Sequence, residues 1–130
     1  MNAEQRIVYV VDDSKIIADI LKKVLSAIDG ISVMAFKSGS ELFQKLEEIT
    51  PDIIFLDYYL DSDNKSELTG EEIFNRIKIS HPEIQMIMLT GISDPAKLEH
   101  FRSIGFADVI NKNEPEIFNR IIRCVEQLNI

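Results

Sequence analysis

The sequence predicts a doubly wound α/β domain, with five parallel strands in one sheet and helices on both faces. Three observations carry this. Short apolar, often β-branched runs alternate five times with longer stretches of helical spacing. The runs are apolar at successive positions rather than at every second one, which suits strands covered on both faces. A length of 130 residues fits one domain with a substantial core, and right-handed crossovers leave few other topologies.

The first strand, 7–11, runs into Asp12 and Asp13. Ser14 is placed to cap a first helix with the stripe Ile16, Ile17, Ile20, Leu21, Val24 and Ile28, and Gly30 ends its connection. The second strand covers 31–36. Gly39 and Ser40 then open a second helix on Leu42, Phe43, Leu46 and Ile49, closed by Thr50 and Pro51. The third strand, 53–56, ends in Asp57; beyond a polar stretch, Ile73, Phe74 and Ile77 mark the third helix. The fourth strand, 86–89, ends in Thr90 and leads to a helix on Leu98, Phe101 and Ile104. The fifth, 109–110, passes through Asn111 into Lys112, and Ile117, Ile121, Cys124, Val125 and Leu128 mark the last helix. Pro82, Pro95 and Pro115 fall at element boundaries.

Fourteen Lys and Arg stand against 22 Asp and Glu, a net charge of −8. That balance argues against a general nucleic-acid or anionic-membrane surface. The one cysteine, Cys124, allows neither an internal disulfide nor a cysteine-based zinc site, and it reads as a packed core thiol. The MNAEQR terminus has no long apolar run behind it, and no stretch approaches the ~20 residues of a membrane helix. A cytoplasmic location is expected, so the Asn64-Lys65-Ser66 glycosylation triplet carries no meaning.

In a parallel sheet the residues that follow each strand share one edge. Asp12, Asp13, Asp57, Thr90 and Lys112 are thereby expected to converge. Asp57 is costly to desolvate without a partner, and a metal shared with Asp12 and Asp13, together with Lys112, would supply one. Clustered carboxylates repel one another, and a hard divalent cation such as Mg²⁺ relieves that. Two cations and a hydroxyl around one nucleophilic carboxylate are what phosphoryl transfer to an aspartate requires.

These residues resemble the receiver domains of two-component response regulators over nearly the whole chain, from about residue 6 to 128. The features are the paired acids after the first strand, Asp57, Thr90 followed by the small Gly91, and the run GFADVINK ending in Lys112. The resemblance implies a flavodoxin-like sheet of order 2-1-3-4-5 and a single receiver domain over 1–130 with no output domain. It further implies Asp57 as phosphoacceptor, with Thr90 and Lys112 holding the phosphoryl oxygens. Mg²⁺ or Mn²⁺ would be held by Asp12, Asp13, Asp57 and the backbone carbonyl of Tyr59. The donor would be a histidine kinase or histidine phosphotransfer protein, and the face of helix 4, strand 5 and helix 5 would switch to bind a downstream protein. Neither nucleic acid nor membrane would be a direct partner. The protein would not be an enzyme beyond its own phosphorylation and slow dephosphorylation.

Three departures from the family pattern stand out. Val109 replaces an aromatic that swings inward in relatives, Asn113 replaces the proline after the lysine, and the glycine after the acceptor arrives only at Gly70. The resemblance also implies that Tyr59 and Ile92, two residues beyond the acceptor and two beyond the hydroxyl, flank the path of an attacking water. The alternative reading is a phosphorylation-independent interaction module, which Val109 favours. A phosphatase with an Asp-x-Asp nucleophile does not fit the adjacent Asp12 and Asp13. Asp61, Asp63 and Glu72 have calcium-loop spacing, but Lys65 occupies a ligand position and Ser66 stands where the turn needs glycine. The 61–69 loop therefore reads as mobile and peripheral, and His81 and His100 as surface residues.

Overall fold

The computed structural model describes residues 5–58 and 68–127. Among the described residues five strands alternate with five helices: β1 Arg6–Val11, α1 Lys15–Ser26, β2 Ile31–Phe36, α2 Gly39–Leu46, β3 Ile53–Asp57, α3 Gly70–Ser80, β4 Gln85–Thr90, α4 Pro95–Ser103, β5 Asp108–Asn111 and α5 Ile117–Glu126. All neighbours are parallel, in the order β2-β1-β3-β4-β5.

Strand pleating explains the doubly apolar runs. Val8, Val10, Ile53, Phe55, Ile87, Leu89 and Ile110 face a core closed by α1 and α5. Their alternates Tyr9, Val11, Ile54, Leu56, Met86, Met88 and Val109 face the opposite core, closed by α2, α3 and α4. The middle strand β3 is buried at all five positions.

Two helical stripes differ from the sequence reading. Ile16 and Ile20 are 73% and 36% exposed, while α1 buries Ala18, Leu21 and Leu25. At 3.6 residues per turn, Ile20 and Ile16 lie about 100° and 140° round the helix from Leu21, outside the face that meets the sheet. Ile49 lies beyond the end of α2 and is also partly exposed. Cys124 is half-buried at the edge of its core rather than central to it; burial, then Asp108, pushes its thiol pKa up. Leu128 lies outside the described residues.

Caps set where the helices begin. Ser14 caps α1 and Ser38, one residue before the predicted opening, caps α2. Thr69 and Glu72 form a reciprocal capping box on α3. Gly70 is forced by proximity: a Cβ there would lie 2.5 Å from the Tyr58 carbonyl oxygen and 2.6 Å from that of Asp57. Asp94 caps α4, which has Pro95 in its first turn, and α4 buries only Phe101.

Candidate functional site

The carboxyl ends of β1, β3, β4 and β5 gather the expected residues. Asp12 follows β1, and its backbone N–H donates to Phe36 O at 3.0 Å. Asp57 closes β3 opposite Leu89, and Thr90 closes β4 opposite Asn111. The Lys112 N–H donates to Thr90 O at 2.8 Å, which fixes where the lysine leaves the sheet.

From there the Lys112 ammonium reaches Asp12 Oδ2 at 2.9 Å and Asp57 Oδ2 at 3.1 Å. Asp12 and Asp57 are 1% and 5% exposed. Burial alone would lower the Lys112 pKa; hydrogen bonding and attraction from Asp12, then from Asp57, outweigh it and raise it. Asp12 Oδ1 accepts the Ser14 N–H at 2.9 Å, so the Asp-Asp-Ser run both starts α1 and places a carboxylate in the site. Beyond the Lys112 ammonium, Asp12 Oδ2 has no hydrogen-bond partner among the described residues.

One carboxylate oxygen each of Asp12, Asp13 and Asp57 lies within 4.8 Å of the others. Three carboxylates around one ammonium leave an excess of negative charge, and the Asp12 oxygen keeps acceptor capacity. This donor set fits a hard divalent cation. Asp13, on the exposed rim, together with Asp12 and Asp57, would hold it. Tyr59, expected to add its carbonyl and to flank the water path, lies outside the described residues, as do Asp61, Asp63, Asn64, Lys65 and Ser66. Glu72, the last position of the calcium-loop spacing, is engaged in the capping box.

Thr90 is fully buried, and its hydroxyl oxygen accepts the Ile92 N–H at 3.1 Å. The Ile92 side chain is half-buried and shares a surface hollow with Tyr58, Ala96, Lys97, His100 and Phe101. Val109 is 2% exposed in the core, and its carbonyl accepts from Arg120 at 3.1 Å. His81 caps the end of α3, with Nδ1 2.8 Å from Ser80 Oγ; His100 is exposed on α4. A Cβ at Gly91 would meet nothing within 4 Å.

Two participants escaped the sequence reading. The ring of Tyr58, next to the acceptor, packs on Phe101 of α4 at 4.8 Å, and its hydroxyl donates to Glu71 Oε2 at 2.7 Å. Asn111 bridges the loops that carry Ile92 and Lys112. An Asn-x-Asn run at a strand end is a turn signal that marks the second; for the first no sequence signal stands out.

Residues 8–122 match the response regulator receiver domain family. A protein-glutamate methylesterase/protein-glutamine glutaminase of Rhodospirillum rubrum is 29% identical over 93% of this chain and 32% of its own length. The DNA-binding transcriptional regulator NtrC of Escherichia coli is 30% identical over 70% of this chain and 18% of its own. The solved receiver domain of NtrX from Brucella abortus is 25% identical with a TM-score of 0.79, covering 92% of this chain and 95% of that one. The chain thus spans about a third or less of the length of these two curated relatives. Among the described residues no helix is long and apolar enough to cross a membrane. This chain belongs to the receiver domain family of response regulators.

Proposed function

We propose that the protein is a phosphorylation-dependent signalling switch that accepts a phosphoryl group on Asp57. The observation that carries this is the Lys112 ammonium 3.1 Å from a buried Asp57 carboxylate within a three-aspartate cluster. An Asp57 oxygen forms a bond to phosphorus as the phosphorus–nitrogen bond of a phosphohistidine donor breaks. The donor imidazole takes a proton from solvent, and the aspartate becomes an acyl phosphate. Lys112 follows the charge onto the phosphoryl oxygens, and the Thr90 hydroxyl, whose oxygen accepts the Ile92 N–H, donates its own O–H to one of them. A divalent cation held by Asp12, Asp13 and Asp57 supplies further positive charge when bound.

The partners in this reading are a histidine kinase or histidine phosphotransfer protein and a downstream protein target, in the cytoplasm. The protein performs no chemistry beyond its own phosphorylation and slow dephosphorylation. Movement of the loop after Thr90 reaches α4, the helix with the fewest buried residues among those described, and so alters the face made by α4, β5 and α5. Val109 has no ring to swing and a stiff χ1, so the shift runs through the backbone around residues 90–93. A phosphorylation-independent interaction module is the second reading, and Val109, which has no ring to swing, favours it.

Intact mass after incubation with a small acyl-phosphate donor and Mg²⁺ decides between them. One added phosphoryl group is expected, absent in Asp57→Asn and suppressed by EDTA. An adduct that survives Asp57→Asn, or that forms at full rate in EDTA, would overturn the assignment.

A further inference from the structure

A lysine on a flexible four-carbon stem is useful at a reacting centre only if the backbone beneath it is held. Lys112 sits just past β5, where the sheet no longer provides a full ladder. Asn111 uses all of its polar groups there. Its Nδ2 donates to Ile92 O at 3.1 Å, and its Oδ1 accepts the Asn113 N–H at 2.7 Å. Its backbone N–H donates to Glu114 Oε1 at 3.1 Å, and its carbonyl accepts the Glu114 N–H at 3.2 Å. The Glu114 carboxylate is itself paired with Arg120 at 2.6 Å, and Arg120 with Asp108 at 2.8 Å.

We propose that Asn111 is a positioning residue that fixes the turn from which Lys112 reaches Asp12 and Asp57. The proposal rests on the reading of Asp57 as phosphoacceptor. Asparagine suits the role because it offers a donor and an acceptor on a short stem. The donor ties the lysine turn to the loop after Thr90, and the acceptor closes the turn on Asn113. That second bond exists only because residue 113 has an N–H, which a proline lacks. With its polar groups engaged by Ile92, Asn113 and Glu114, Asn111 acts through Lys112. The ion pairs of Arg120 extend the same brace to α5.

A double-mutant cycle tests this on the full chain, with phosphorylation of Asp57 by a small acyl-phosphate donor as readout. Asn111→Leu, of similar size and without hydrogen bonds, is expected to slow the reaction about tenfold, the scale of one or two lost hydrogen bonds. In the Lys112→Met background the same change is expected to alter the rate less than about twofold, because the residue through which Asn111 acts is gone. A wild-type rate for Asn111→Leu, or an equal loss in both backgrounds, would overturn the proposal. Should Asn111→Leu not fold, Asn111→Ser replaces it in the cycle, and the same rate comparisons decide. Wild-type protein that takes up no phosphoryl group would overturn the reading of Asp57 itself, before Asn111 is touched.

Discussion

Replacing Lys112 by methionine leaves the buried carboxylates of Asp12 and Asp57 without the ammonium that lies 2.9 and 3.1 Å away. Stranding a buried acceptor costs about 1–3 kcal/mol, which urea unfolding in EDTA should reveal. Mg²⁺ should stabilise Lys112→Met more than it stabilises wild type, since the cation then has no ammonium to oppose it. Equal stabilisation of the two proteins would show that the cation does not share the site with the lysine. A second prediction concerns release of the phosphoryl group. Ile92 offers a water no polar partner, and Tyr59 offers little to orient one, so slow self-dephosphorylation is expected. Tyr59→Asn with Ile92→Glu should speed decay of the phosphoprotein about tenfold, or roughly 1.4 kcal/mol of barrier; unchanged decay would show that these side chains do not gate the water. At this scale the sequence was most informative where the fold does the placing. Strand-end residues of a parallel sheet must share an edge, so Asp12, Asp57 and Lys112 meet. The Asn111 bridge depends on how two loops face each other, and spacing along the chain carries no such information.

The start of α3 illustrates how one element responds to pH. The Thr69 N–H, then its hydroxyl, hold the Glu72 carboxyl below the ordinary carboxylate range. A depressed folded pKa contributes stability above the unfolded value of about 4.3 and loses it as pH falls through the folded value. The first turn of α3 should therefore fray on acidification, seen as lower amide protection, relative to the intrinsic rate at each pH, at Thr69 and Glu72, whose N–H groups the box holds, and Glu72→Gln should remove the dependence. Protection at these amides that stays flat with pH in wild type would count against the box. Helix α4 should exchange fastest among the five helices, because Phe101 is its only buried side chain; protection equal to that of α1 would contradict this. Strand positions were legible to within about one residue, since runs apolar on both faces occur only where both faces are covered. The face of α1 was less legible. Ile16 and Ile20 satisfy a helical spacing, yet only three-dimensional placement shows that Ala18, Leu21 and Leu25 meet the sheet.

For the molecule as a whole, a net charge of −8 means self-repulsion that salt screens and a specific cation relieves locally. Millimolar Mg²⁺ should raise the melting temperature of wild type more than an ionic-strength-matched monovalent salt does. Asp13→Asn should lose most of that difference; if it does not, the stabilisation comes from screening alone. The close approach at Gly70 has a further consequence, for the length of the connection after the acceptor. With a Cβ position at residue 70 only 2.5 Å from the Tyr58 carbonyl oxygen, the chain returns to the point it left. The connection from residue 58 to residue 70 is therefore closed at its base by backbone packing. Each doubling of such a loop adds only about 0.6 kcal/mol of closure entropy, and none of that cost falls on Asp57. Lengthening or trimming within 61–67 should leave the phosphorylation rate with a small donor nearly unchanged, whereas Gly70→Ala, which opens the base, should reduce both stability and rate. A chain of this design can vary that segment freely as long as the glycine that closes it stays.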